Sequence, residues 1–300
     1  MTQIEDLIQK AISGDRRAIG KLITILENRL EGYNELRSII DKNPGKSFIL
    51  GITGPPGAGK STLISKLVRA FSGEEKLAVV MIDATSPFSG GSLLGNRLRI
   101  MDEGDAYIRS MSTRGQSGGL NFAIGDVLDL LAYLGYSMII VESVGAGQDE
   151  VDIMYFSDLV TLVLAPGLGD EIQAMKAGQM EIGDFIVLTK SDRPEAYVAE
   201  KQLMEILSIP DNAKSHKFFK VSSINGSGIQ NLVDAIKDFK KNMSRDESRI
   251  RNKEKLKNNI LAIINSNDKK IEELADMITR GEISLTQATR SFLRSVSDSQ

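Results

Sequence analysis

Apolar residues recur along this chain in two rhythms. At the start the rhythm is helical: Ile4, Leu7, Ile8, Ala11 and Ile12 fall at i, i+3, i+4, i+7 and i+8, one face of a helix. Ser13-Gly14-Asp15 stops that helix and caps another, whose stripe is Ile19, Leu22, Ile23, Leu26 and Leu30. "DKNPGK" at 41–46 then breaks the pattern. Beyond it come short unbroken apolar runs: "SFILGIT" (47–53), "LAVVMID" (77–83), "SMIIVES" (137–143), "DLVTLVLAP" (158–166), "DFIVLTK" (184–190) and "KFFKVSS" (217–223). Between most of them lie segments with helical spacing, at 60–71, 119–134, 170–180 and 194–207. Unbroken runs suit strands covered on both faces, and their alternation with helices predicts parallel crossover units. The expected fold class is α/β, a doubly wound and mostly parallel sheet.

After "GSGIQNLVDAIKDF" the character changes. Residues 243–258, "MSRDESRIRNKEKLKN", carry six basic and three acidic residues and read as the solvated face of a helix. Ile271, Leu274 and Ile278 form one further stripe, and Ser284 caps another that carries Leu285, Ala288, Phe292 and Val296. The expected organisation is an N-terminal helical segment (1–45), a central α/β domain (46–242) and a C-terminal helical segment (243–300).

Composition narrows the function classes. With 41% hydrophobic residues in 300, the chain can bury an ordinary core. A net charge of -3 gives no electrostatic footprint for nucleic acid or an anionic membrane. The absence of cysteine excludes disulfides and thiolate metal sites, and fits a reducing compartment. The N-terminus is amphipathic and mixed in charge, unlike a signal peptide, and no uncharged apolar run approaches the ~18 residues of a membrane span. A cytoplasmic protein with no nucleic-acid or membrane partner is expected.

The chemistry begins at 54–62, "GPPGAGKST", directly after the first apolar run. Gly54-Pro55-Pro56-Gly57-Ala58-Gly59-Lys60-Ser61 satisfies G-x-x-x-x-G-K-[ST], the pattern of a P-loop NTPase. Glycines let the backbone wrap a phosphate with its N–H groups inward, and the helix that follows, opening at Lys60-Ser61-Thr62, presents its positive end. Lys60 is the expected contact to the β- and γ-phosphates, and the Ser61 hydroxyl an expected Mg²⁺ ligand.

Two later runs end in acids, Asp83 and Glu142, at strand C-termini where open α/β sheets bind ligands. Such an acid can hold a water on Mg²⁺, or merely cap the next helix. Gly145, three residues beyond Glu142, can offer its N–H to a γ-phosphate, which makes 143–150 a candidate switch. Gln148 is a candidate for orienting the attacking water; it lies three residues past Gly145, and slow intrinsic turnover is expected.

Base choice is read from Thr189-Lys190-Ser191-Asp192. The Asp192 carboxylate can accept N1–H and the 2-amino group of guanine, whereas adenine would leave it unpaired. The Lys190 stem can lie along the ring face. "VSSINGSGIQNL" resembles the GTPase loop whose backbone around Ser222-Ser223, with Ile224 beside it, meets the guanine oxygen. GTP and GDP are therefore the expected nucleotides.

These residues, with "GDRRAIGKLITILENR", "IDATSPFSGGSLLGNRLRIM", "YIRSMSTRGQSGGL", "IIVESVGAGQDEVDI", "APGLGDEIQAMKAGQMEIGDFIVLTKSD" and "GEISLTQATRSFL", resemble the methylmalonyl-CoA mutase-associated GTPases over nearly the whole chain. That family's older label is lysine/arginine/ornithine transport-system kinase. The resemblance implies a GTPase chaperone for an adenosylcobalamin-dependent acyl-CoA mutase, coupling GTP binding and hydrolysis to cofactor loading and protection. It also implies a homodimer with much of its contact in the C-terminal helices. Asp83 and Glu142 match the family's magnesium-associated acids. Asn96 stands where the family usually has an aspartate implicated in the metal site, and Gln116 where a histidine is common.

Three other functions share parts of this pattern. A nickel-delivering maturation GTPase would use cysteine and histidine clusters, whereas this chain has no Cys and one His, His216, read as an ordinary surface histidine. A kinase of a transport component would need a positioned acceptor hydroxyl and a carboxylate to take its proton, and nothing marks one. A nucleotide-dependent interaction module with negligible turnover would share every binding motif.

Overall fold

The computed structural model describes residues 2–83, 104–112, 121–143, 156–167, 183–207, 216–265 and 267–298. Its first three helices are α1 (Gln3–Ile12), α2 (Arg16–Asn28) and α3 (Tyr33–Lys42). Thr2 and Glu5 close a reciprocal capping box on α1, and the Asp15 carboxylate caps α2 by accepting the N–H groups of Arg17 and Ala18. Ile4, Ile8, Ala11, Ile19, Leu22, Ile23 and Leu26 are buried, as their spacing predicts. Ile12 and Leu30 are not, at 47% and 48% exposed. Ile12 is the last residue of its helix, and Leu30 lies past the left-handed Arg29 that ends α2. The buried stripes share one core with Ala78, Val80, Ile139 and Val141 of the central sheet.

The sheet is built from β1 (Phe48–Thr53), β2 (Leu77–Asp83), β3 (Ala106–Ser112), β4 (Met138–Glu142), β5 (Leu159–Leu164), β6 (Phe185–Leu188) and β7 (Lys217–Lys220). Their order is β3-β2-β4-β1-β5-β6-β7, and every neighbouring pair is parallel. The chain runs from β1 outward to β2 and β3, returns to β4, then crosses to β5 on the other side of β1. That reversal opens a crevice at the C-terminal ends of β1, β4 and β5, the usual ligand position in such a sheet. Helices α4 (Lys60–Phe71), α5 (Asn121–Tyr133), α6 (Ala196–Leu207) and α7 (Ile229–Asn242) connect and cover the strands. Leu63, Ile64, Leu67 and Val68 of α4 pack with Leu50, Ile52 and Ile140, while Leu203 of α6 packs with Leu162 and Ile186.

All six apolar runs form strands, and one strand was not legible. "AYIRSMS" becomes β3 although Arg and Ser interrupt it, because among the described residues β3 is an edge paired with β2, and the Arg109 guanidinium finds the Glu27 carboxylate on α2. The opposite edge, β7, is four residues long with a lysine at each end, a pattern that blunts edge-to-edge pairing. The helix expected at 170–180 lies outside the described residues. His216 is half-buried rather than a surface side chain: its Nδ1 sits 2.6 Å from the Gly183 carbonyl and its Nε2 is enclosed.

The C-terminal helices are α8 (Arg245–Asn265), α9 (Asp268–Thr279) and α10 (Leu285–Asp298). Ser284 caps α10 as expected, accepting Gln287 N–H at 3.2 Å while its own N–H reaches Gln287 Oε1 at 2.9 Å. The charged stretch departs from expectation, since it is not wholly solvated. Two of its cations, one turn apart on α8, reach carboxylates that precede strands: Lys255 Nζ lies 2.5 Å from Asp158, and Arg251 3.1 Å from Asp184. Asp158 also accepts the Ile49 N–H and Asp184 the Val160 N–H, each at 2.8 Å. Each aspartate therefore ties a neighbouring strand and α8 to one carboxylate. Replacing Arg251 with methionine removes the guanidinium from an aspartate whose side chain is 6% exposed. A loss of roughly 2 kcal/mol of unfolding free energy is expected, read by denaturant titration. Among the described residues, no helix is long and apolar enough to cross a membrane.

Candidate nucleotide site

The loop between β1 and α4 turns through three glycines at positive φ: Gly54 at 139°, Gly57 at 75° and Gly59 at 93°. Gly54 is also crowded, since a Cβ there would stand 2.0 Å from the Val163 carbonyl oxygen of β5. Only glycine lets the strand leave the sheet at that point. Lys60 is buried, and its ammonium donates to the Gly54 and Pro55 carbonyls at 2.6 and 3.1 Å, across the mouth of the loop. Gly59 begins α4 in a left-handed conformation with no side-chain cap, so the positive end of the helix opens into the loop.

Glu142 ends β4, registered between Ile52 of β1 and Met81 of β2. It is buried, and its Oε1 accepts the Ser61 hydroxyl at 2.8 Å. A hydroxyl and a carboxylate brought together are oxygen donors of the kind Mg²⁺ takes, and Mg²⁺ commonly uses one or two protein ligands plus phosphate and water. The residues fit that ion. Asp83 closes β2, but its side chain lies outside the described residues, as do Asn96, Gly145 and Gln148. Gln116 and the rest of "TRGQSGGL" (113–120) also lie outside them.

The segment Thr189-Lys190-Ser191-Asp192 begins at the end of β6. Thr189 accepts no slack: its N–H reaches the Leu164 carbonyl at 2.8 Å, and its hydroxyl lies 2.5 Å from the Ala58 carbonyl. Lys190 adopts a left-handed φ of 52° and donates its ammonium to the Gly57 carbonyl at 2.8 Å. Thr189 and Lys190 thus fasten this segment to the phosphate loop. Asp192, exposed, accepts the Ser222 hydroxyl at 2.5 Å. That donation holds the Asp192 carboxyl below its usual range, so it stays ionised. Buried Ser222 in turn accepts the Ile224 N–H at 3.3 Å, Ser223 is half-buried, and Ile224 is 84% exposed. Residues 54–62, 142, 189–192 and 222–224 converge on the C-terminal end of the sheet. Sequence reasoning missed the bond between the Ser143 hydroxyl and Thr53 Oγ1, 2.8 Å, at the ends of β4 and β1. The available signal was a hydroxyl residue closing each of two apolar runs, "GIT" and "VES".

Fold and loop together define a P-loop NTPase. A family model described as methylmalonyl Co-A mutase-associated GTPase MeaB matches residues 19–277, and the chain belongs to that family of GTPases. A GTPase of Pyrococcus horikoshii is 40% identical over 299 residues, covering 93% of each chain. The mitochondrial methylmalonic aciduria type A homolog of Mus musculus is 30% identical, over 80% of this chain and 64% of that one. A solved LAO/AO transport system kinase superposes over 99% of both chains with a TM-score of 0.69; at 22% identity it shows the shared fold. HypB from Helicobacter pylori in complex with nickel covers 70% of this chain and 94% of its own, at a TM-score of 0.50 and 18% identity. The protein binds guanine nucleotide and hydrolyses GTP.

Proposed function

We propose that this GTPase is Mg²⁺-dependent and serves as chaperone to an adenosylcobalamin-dependent acyl-CoA mutase of the methylmalonyl-CoA mutase type. GTP binding and hydrolysis would be coupled to loading and protecting the mutase's cofactor. The observation that carries the partner assignment is the family match over residues 19–277; relatives named for methylmalonic aciduria type A support it. The nucleotide chemistry rests on the convergence of Lys60, Ser61, Glu142 and Asp192 at one end of the sheet.

In this reading the amides of 54–62 and the Lys60 ammonium cradle the phosphates. The Thr189 and Lys190 contacts hold the base segment in register with that loop, and Asp192, with the backbone of 222–224, reads guanine. Ser61, Asp83, Asn96 and Glu142 would hold Mg²⁺, which neutralises phosphate charge when bound. Gly145 would offer its N–H to the γ-phosphate, and Gln148 would orient the water. The three-segment division at 45 and 242, a homodimer and a cytoplasmic location belong to the same proposal. Exposed Ile250, Leu256, Ile260, Leu261, Leu285 and Leu293 on α8 and α10 support pairing through the C-terminal segment.

The likeness to HypB raises nickel delivery as a second reading, but a chain without cysteine and with one histidine lacks the usual soft and imidazole donors for nickel. The test mixes the full chain with a purified adenosylcobalamin-dependent acyl-CoA mutase and γ-labelled GTP. Faster release of labelled free phosphate and nucleotide-dependent co-elution are expected. Label transferred to protein would favour a kinase, and no response to the mutase would remove the chaperone role.

A further inference from the structure

Thr53 ends β1 and Ser143 directly follows the neighbouring strand β4; they are 1% and 3% exposed. The Ser143 hydroxyl donates to Thr53 Oγ1 at 2.8 Å, and the Ser143 N–H reaches the Ile52 carbonyl at 3.0 Å. The residue before Ser143 is Glu142, whose carboxylate holds the Ser61 hydroxyl. The residue after Thr53 is Gly54, whose carbonyl accepts the Lys60 ammonium. The hydroxyl pair is therefore a side-chain rivet between the strand that feeds the phosphate loop and the strand that delivers the acid. It lies at the end of the β1–β4 ladder, where it adds a side-chain link beside the backbone bond from the Ser143 N–H to the Ile52 carbonyl. Buried hydroxyls have no water to turn to, so this contact is held. A hydrogen bond weakens steeply with distance and angle, so a small splay of β4 would break it and carry Glu142 away from Ser61.

We propose that the Thr53–Ser143 pair is a positioning element that sets Glu142 against Ser61, and thereby governs how much Mg²⁺ strengthens nucleotide binding. This rests on the reading of Ser61 and Glu142 as metal-binding residues. A contact that only filled the core would weaken binding with and without metal alike, or leave both unchanged.

The experiment titrates a fluorescent GDP analogue into the full chain, in EDTA and in saturating MgCl₂. The variants are Ser143→Ala, Thr53→Val, the double substitution, Ser143→Thr and Lys60→Ala, with a thermal melt of each. Wild type should bind more tightly with Mg²⁺. Ser143→Ala and Thr53→Val should each lose about 3- to 10-fold of that gain, the net worth of one hydrogen bond. Their metal-free affinities should stay within about two-fold of wild type, since this bond touches no phosphate. The double variant should be no worse than either single one, and Ser143→Thr should restore the gain. Equal losses in both buffers, no loss at all, or failure of both single variants to fold would overturn the proposal. Retained binding in Lys60→Ala would instead overturn the phosphate-loop reading, and a wild type indifferent to Mg²⁺ the metal assignment. Normal behaviour of both controls with silent Ser143 and Thr53 variants would sink the positioning role alone.

Discussion

Replacing Lys60 with alanine should abolish measurable GTP binding while the chain still folds. The Lys60 ammonium is buried at the mouth of the loop, bonded to the Gly54 and Pro55 carbonyls. A triphosphate entering there offers it far stronger partners than two neutral carbonyls. Charge-assisted bonds contribute about 1.5–3 kcal/mol each, so losing two corresponds to on the order of 10²- to 10⁴-fold in affinity. The effect on folding should be small, because the carbonyl contacts are local and Leu63, Ile64, Leu67 and Val68 still bury α4 in the core. Calorimetric titration with GTP beside a thermal melt separates the two effects. Tight binding in a folded Lys60→Ala chain would contradict the loop's assignment.

The second large effect is expected from Asp192→Asn, which should exchange one base preference for another. Guanine presents two donors, N1–H and the 2-amino group, to a carboxylate that only accepts. An asparagine in its place turns an amide donor toward one of them, leaving two donors face to face. A loss of roughly 10²-fold or more in GTP affinity follows from unpaired polar groups at a recognition site. Xanthine carries a carbonyl where guanine carries the 2-amino group, so the asparagine variant should bind XTP better than wild type does. The Ser222 hydroxyl, 2.5 Å from Asp192, should hold the new side chain in place. Competition among GTP, XTP and ATP for a fluorescent nucleotide gives the answer. Unchanged discrimination against ATP would refute the role of Asp192.

The two predictions differ in how the sequence revealed them. Lys60 is named by a contiguous motif, because one loop and the helix behind it form the whole cradle. Asp192 is named by a motif too, yet its setting is built by segments far away in the chain. Ser222 fixes the carboxylate, and Ala58 and Gly57 receive the Thr189 and Lys190 side chains. None of those pairings has a local spacing to betray it. The same holds for Arg251 and Lys255, which look solvated in a charged run until Asp184 and Asp158 are seen beneath them.

By itself the sequence determined the central strands, the capped helices and the phosphate loop, and it set the expectation of a guanine-reading acid. Those features depend on periodicity and on residue types a few positions apart, and physics at that range is written in order along the chain. Only the tertiary structure decided that "AYIRSMS" would be an edge strand, that Glu142 would meet Ser61, and that Thr53 would bond Ser143. Each depends on which strands become neighbours, and that is set by the crossover topology of the sheet as a whole.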